Sequence, residues 1–205
     1  MTAEATPRAT GDRRTRQRQE RRDRLFRAAV ELFVERGYDN TTMEDIAERA
    51  DTARATVFNH FQRKTAFLDE WSLRRRERAM TAVRGESLEE QPLRDVLARY
   101  LTELARNSVD ARTETLACMS AAIHSTNIFG NPELAHEFGT FVARAQATGE
   151  IRADVDSQQA GLLLATSYFA TLSAWIASEP VPFDLQERLL AMLEMVLHGI
   201  AARQP

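Results

Sequence analysis

The stretch from Arg21 to Leu68 breaks into three short helical segments, and their punctuation leaves few folds open. In the first segment Leu25, Phe26, Ala29, Leu32 and Phe33 recur at three- and four-residue spacing, while Arg24, Arg27, Glu31 and Glu35 take the other face. That period is an amphipathic helix. Gly37 follows, where a left-handed carboxy-terminal cap is wanted. The second segment opens at Thr41-Thr42-Met43-Glu44-Asp45, and capping-box spacing is met by Thr41 with Glu44 or by Thr42 with Asp45. Met43, Ile46, Ala47 and Ala50 form its buried face, and Ala47 is small enough for two helices to cross closely.

Asp51-Thr52-Ala53 supplies a turn, and in the third segment Val57 and Phe61 point inward. Arg54, Ala55, Thr56, Asn59 and His60 are left facing outward, a set that packing does not require. Arginine bonds guanine edges in bidentate fashion, asparagine does so with adenine, and threonine meets a thymine methyl or a base edge. Two crossed helices with such a face outward form a helix-turn-helix, which seats one helix in the major groove of DNA. Lys64 stands at the start of the next helix, where its charge and the exposed amides could hold a phosphate.

Residues 21–68 resemble the DNA-binding domain of the TetR family of transcriptional repressors. The parts that match are Gly37-Tyr38, Thr41-Thr42-Met43, Ile46-Ala47, Ala50, Thr56-Val57-Phe58, His60-Phe61 and Lys64 before Phe67-Leu68. The resemblance implies double-stranded DNA with a palindromic operator as partner. Together with the residue chemistry, it marks Arg21, Thr42, Arg54, Ala55, Thr56, Phe58, Asn59, His60 and Lys64 as DNA contacts. Five positions depart from the family pattern. Asp51 stands where glycine is usual, but aspartate tolerates a left-handed backbone better than most residues. Thr52 replaces valine, and Ala53 replaces a serine cap, so capping of the third helix falls to Thr52, to Asp51 or to DNA. Phe58 replaces a tyrosine and loses its phosphate-binding hydroxyl, and Ala55 replaces a glycine and adds a methyl to the DNA face.

Charge supports the same polarity. Residues 1–80 carry 18 basic and 14 acidic side chains, a balance of +4, and residues 81–205 carry 9 and 16, a balance of −7, within a total of −3. Positive charge gathered at one end suits a polyanion bound there. Arg8, Arg13, Arg14, Arg16, Arg18, Arg21, Arg22 and Arg24 form a basic run over 8–24 that is expected to lie along phosphates or enter the minor groove, with residues 1–20 read as a flexible arm ahead of the first domain. The 26 arginines against one lysine hint at a GC-rich bacterial genome. The lone Cys118 excludes an intramolecular disulfide, and the arginine-rich start resembles no signal peptide, so a cytoplasmic protein is expected.

After Lys64 the chain reads as successive helices at about 64–84, 92–107, 112–127, 131–148, 157–178 and 183–202, punctuated by Pro92, Asn131-Pro132, Gly149, Pro180 and Pro182. The expectation is an all-α chain of about nine helices. A helix-turn-helix domain at 21–68 precedes a helical effector-binding and dimerisation domain at 69–205, with the clearest loop at 85–91. Residues 149–156 also resemble the turn that often precedes the family's penultimate long helix. Residues 157–178 carry no charge, yet their glutamines, serines and threonines are too polar for a membrane span. A helix buried on all sides fits better. Leu185, Leu189, Met192, Val196 and Ile200, flanked by Leu193 and Leu197, form a stripe wider than one monomer's core should cover. Residues 157–178 and 183–202 are therefore expected to form a four-helix homodimer interface, as the resemblance also implies.

The resemblance further implies a small-molecule effector among the middle helices. By position the candidates are Trp71, Tyr100, Cys118, Met119, Ile123, His124, Phe138, Phe141, Tyr168 and Trp175, with Asn127 as a further polar group. Such a set suits a mostly apolar ligand with one or two polar groups. The run Arg74-Arg75-Arg76-Glu77-Arg78 reads as a solvated face. The four histidines are scattered, and neither metal-ligand spacing, a nucleophile elbow nor a phosphate loop is present, so no catalytic residue, metal or cofactor is expected. The competing class is a DNA-binding regulator without a small-molecule ligand, controlled by a protein partner or acting as an activator.

Overall fold

Among the residues described by the computed structural model (9–84, 91–126 and 132–200), the regular elements are nine α-helices. They are α1 Ala9–Arg36, α2 Met43–Arg49, α3 Arg54–His60, α4 Thr65–Val83, α5 Leu93–Asp110, α6 Arg112–Ser125, α7 Pro132–Ala147, α8 Ser157–Ile176 and α9 Leu185–Ile200. The chain divides into two compact units, Met1–Glu70 and Trp71–Pro205. Most of the expected loop at 85–91 lies outside the described residues, as does Asn127.

In the first unit α1 is longer than its amphipathic pattern. Residues 9–20, read from the sequence as part of a flexible arm, continue the helix instead. They hold one glycine and no proline, and arginine, glutamine and glutamate are good helix formers. Gln19 also donates to Asp23 one turn on, at 3.1 Å. Thr42 rather than Thr41 starts α2. Its hydroxyl accepts from the Asp45 amide at 3.1 Å, and Asp45 accepts from the Thr42 amide at 2.8 Å, a closed capping box. Thr41 is buried and donates to the Gly37 carbonyl at 2.9 Å.

Gly37 ends α1 at φ 83°. Asp51 ends α2 in the same left-handed region at φ 48°. The amides of Thr52 and Asp51 reach back to the carbonyls of Ala47 and Glu48 at 3.0 and 3.1 Å, a complete Schellman motif. The same pair of bonds closes α7, from Glu150 to Ala145 and from Gly149 to Gln146, with Gly149 at φ 80°. At Asp51 the side chain leaves the strain in place. Asp51→Gly is expected to stabilise the first unit by about 0.5–1 kcal/mol, seen as a higher urea midpoint at unchanged slope.

A ring cluster holds these short helices together. Phe61 stacks on Phe67 with centroids 3.9 Å apart, Phe67 meets Phe33 edge-on, and Phe33 meets Tyr38 at 5.0 Å. A seven-residue helix such as α3 is not stable alone. Burial of Val57 and of Phe61 just past its end fixes it, and fixes which side faces out.

In the second unit α7 and α8 pack along most of their length, α9 lies against α5 and α8, and α6 touches α5 and α8. Tyr100, Phe138 and Phe141 form the central ring cluster, with centroids 5.5 and 5.9 Å from Tyr100. Asp156 caps α8 by accepting the amides of Gln158 and Gln159, and Glu150 accepts the Leu93 amide that opens α5. The α9 stripe is covered within the unit: Leu185, Leu189, Met192, Leu193 and Val196 are all buried. Its width was thus no measure of a partner, because α5 and α8 together supply enough apolar surface. The large apolar side chains left exposed on these two helices are Leu162 and Leu163 of α8 and Met195, 72% exposed, of α9. No described helix is long and apolar enough to cross a membrane.

Candidate nucleic-acid interface

The outward face of α3 is built as its sequence suggests. Arg54, Ala55, Phe58 and Asn59 are exposed, Thr56 and His60 half-exposed, and the neighbouring Thr42 and Arg21 exposed. Asn59 makes no hydrogen bond among the described residues, so its amide is available on both edges. Arg54 leans back, with Nε 2.7 Å from Glu44 and its guanidinium carbon 5.4 Å from the centre of the Phe58 ring. Both partners are exposed, so this pair is worth little and yields readily to a stronger acceptor. Phe58 in place of tyrosine therefore carries the arginine rather than a phosphate. Ala53 precedes α3 with no side-chain cap, leaving the first amides of the helix unserved by Thr52 or Asp51.

Lys64 is used differently from the sequence reading. Its ammonium donates to the carbonyls of Tyr38 and Thr41 at 2.7 and 3.0 Å and sits 4.1 Å from the centre of the Tyr38 ring. Two of its three N–H groups are thereby spent on the α1–α2 loop. Lys64 positions that loop rather than standing ready for a phosphate.

Arg22 was missed by the sequence reading, which counted it only among the basic arm. Its guanidinium lies 4.2 Å over the Phe61 ring, bonds Glu70 at 2.5 and 3.2 Å, and donates to the His60 carbonyl at 2.8 Å. It thus ties α1, the carboxy-terminal end of α3 and a buried carboxylate on α4 into one knot. No local pattern marks it, since Glu70 lies 48 residues away.

The His60 imidazole is held below its ordinary pKa, first by desolvation and then by the positive charges of Arg18, Arg21 and Arg22. The unfolded chain therefore takes up a proton more readily than the native unit as pH falls below about 6.5. Native stability should decline from pH 7.5 to 5.5, and His60→Gln should flatten that decline in urea titrations at the two pH values. An unchanged slope in the variant would show that other groups govern it.

Of the expected effector residues, the structure brings Trp71 and Tyr168 to one cavity. Trp71 and Tyr168 line a small cavity of about 10 Å³ in the second unit, together with Ser72, Arg75, Arg76, Leu104, Leu134, Phe169 and Leu172. Tyr100, Phe138 and Phe141 fill the core beside it, and the Tyr100 hydroxyl donates to Glu137 at 2.5 Å. Cys118 and Met119 are fully buried on α6, and burial holds the Cys118 thiol far above its usual pKa, which suits packing. Ile123 is half-buried, and Trp175 lies under the Arg112 guanidinium at 4.4 Å. His124 is exposed, with Nδ1 2.8 Å from the Ser120 carbonyl. The arginine run proved the larger surprise. Arg75 and Arg76 are each only 5% exposed, so that part of α4 is not a solvated face.

Residues 25–71 match the family described as bacterial regulatory proteins of the TetR type. The regulator TcmR of Streptomyces glaucescens is 43% identical over 60 residues, which span 29% of this chain and 26% of that protein. The repressor KstR of Rhodococcus jostii is 26% identical over 91% of this chain and 86% of its own. Among solved structures, FadR of Thermus thermophilus, a TetR-family repressor in complex with lauroyl-CoA, superposes with a TM-score of 0.68 at 26% identity. That match covers 90% of this chain and 97% of FadR. Residues 25–71 thus match the TetR-type helix-turn-helix, and the chain as a whole is similar nearly end to end to TetR-family transcriptional regulators.

Proposed function

We propose that the protein is a dimeric repressor that binds a palindromic operator and leaves it when a small, mostly apolar effector enters the second unit. DNA binding belongs to residues 21–68, and effector binding and dimerisation to 69–205. The observation that carries the proposal is the outward face of α3, where Asn59 is exposed with its amide unbonded and Arg54 is held only by an exposed pair. Base reading falls to Arg54, Thr56 and Asn59, and backbone contact to Arg21 and Thr42.

Two further features support it. The exposed side of α8 (Leu162, Leu163, Ala170 and Ala174) carries no charge, and Met195 of α9 is exposed as well. A second copy of the same two helices would bury that side, and a dimer would present two α3 helices to the two half-sites of a palindrome. The effector would also act on α4, which runs unbroken from Thr65 to Val83. Glu70, in the knot at the end of α3, and Trp71, on the cavity wall, are consecutive residues of that helix. A ligand that prefers one setting of α4 shifts the population of dimers able to engage both half-sites.

The test is selection of genomic fragments by the purified protein at near-physiological salt. A recovered palindrome with two half-sites is expected. Tight binding with no shared motif would overturn the repressor proposal and leave a general DNA binder.

A further inference from the structure

We infer that the cavity beside Trp71 is a headgroup site for an organic carboxylate, the anionic end of an otherwise apolar ligand. The inference rests on the effector reading above and deepens it. The cavity wall holds two guanidinium groups, Arg75 and Arg76, and no carboxylate; Trp71, Ser72 and Tyr168 add polar groups, and the remaining four side chains are apolar.

The two arginines are not equivalent. Arg76 is neutralised by Glu133 and by Glu137, the latter at 2.5 Å. Among the described residues the hydrogen-bond partners of Arg75 are all neutral: the carbonyls of Asn107 and Leu104 and the Thr115 hydroxyl, each at 3.3 Å, together with the Ser108 hydroxyl. The face of the Trp71 ring, 4.7 Å from its guanidinium carbon, adds only a weak attraction. Its hydrogen bonds are made while its charge is uncompensated, and a buried cation in that state is expensive unless an anion joins it.

Two buried donors on residues of the same wall, Trp71 Nε1 and Arg76 Nε, have no partner among the described residues, and Trp71 is only 3% exposed. Native proteins seldom leave such groups unpaired. A carboxylate offers two oxygens with about four acceptor positions, enough for both donors and for Arg75. A neutral hydroxyl would satisfy one donor and leave the charge, and an ammonium would add to it. Leu104, Leu134, Phe169 and Leu172 suit a hydrocarbon continuing from the headgroup. At about 10 Å³ the cavity holds little more than a water-sized group, so the tail requires the helices to part, which is how binding would act on α4.

The experiment uses the full chain carrying Trp175→Phe, which leaves Trp71 as the single indole of the two tryptophans. Straight-chain carboxylates of four to twelve carbons, and the alcohols and ammonium ions of matching length, are titrated by indole emission and by calorimetry. The best carboxylate is expected to bind about tenfold or more tightly than its alcohol, with no saturable binding by the ammonium ion. In the parent chain Trp71→Phe keeps an aromatic ring, though a smaller one, and removes one donor. By calorimetry it should weaken the carboxylate about three- to tenfold and leave the alcohol unchanged, a contrast that damaged packing would not give. An alcohol binding as tightly as the carboxylate, equal weakening of both, or no saturable carboxylate at any length overturns the inference. Release from the recovered palindrome separates the two readings. An alcohol that releases DNA while carboxylates do not keeps the effector and removes the anion site. A carboxylate that binds with the stated discrimination but leaves DNA affinity unchanged keeps the site and removes the effector role.

Discussion

Gly161→Ala is expected to destabilise the second unit by about 3 kcal/mol, lowering its melting temperature by roughly 6–12 °C. A β-carbon at Gly161 would lie 2.2 Å from the Ala135 carbonyl oxygen, 2.5 Å from the Gly139 nitrogen and 2.8 Å from the Gly139 α-carbon. All three are backbone atoms of α7, so no rotamer change can relieve the contact, and α7 and α8 must separate. Alanine's better helix propensity returns about 1 kcal/mol at most, too little to reverse the sign. Gly139→Ala is the control. Its nearest neighbour is Gln158 Nε2 at 2.9 Å, the far end of a flexible exposed side chain, with the Ser157 carbonyl at 3.1 Å. A cost of about 1 kcal/mol or less is expected there. Calorimetric scans of both variants decide the matter, and similar small shifts in the two would mean that the helices are not in backbone contact at Gly161. The contact matters for function because α7 and α8 carry Leu134, Tyr168, Phe169 and Leu172 of the cavity wall.

What could be read from the sequence was local. Gly37 and Asp51 announced their left-handed positions because a helix end needs only its own last turn. The face of α3 was legible for the same reason: Val57 and Phe61 are about one helical turn apart and Asn59, two residues from each, falls on the opposite side, and nothing distant can reverse that. Arg75 and Arg76 were not legible. A run of arginines looks solvated until its acceptors are known, and those lie 29 residues away at Leu104 and 61 away at Glu137. The α9 stripe failed in the complementary way. Its residues were correctly apolar, but whether a stripe meets its own chain or a copy depends on the width of α5 and α8, which periodicity does not report. Lys64 shows a third limit. Its position matched the family, while its hydrogen bonds were set by two carbonyls more than 20 residues upstream.

Asn59→Ala should separate sequence reading from simple attraction to DNA. The Asn59 side chain has no partner among the described residues, so its removal costs the fold almost nothing, and any lost affinity belongs to the complex. If the amide bonds an adenine edge in bidentate fashion, operator affinity falls by about 1–3 kcal/mol, roughly 5- to 150-fold. Binding to random duplex should not change, because a neutral amide contributes nothing to counterion release. Arg21→Ala gives the opposite pattern. It should weaken operator and random DNA together and reduce the slope of log affinity against log salt by about 1. Lys64→Met should lower stability before it alters that slope, since its charge is committed to Tyr38 and Thr41. Anisotropy titrations of the three variants at several salt concentrations, on the recovered operator and on a scrambled duplex, resolve these patterns. Equal loss on both duplexes from Asn59→Ala would remove base reading from Asn59. Specificity would then have to come from Arg54, which must first leave Glu44, or from the shape of the DNA.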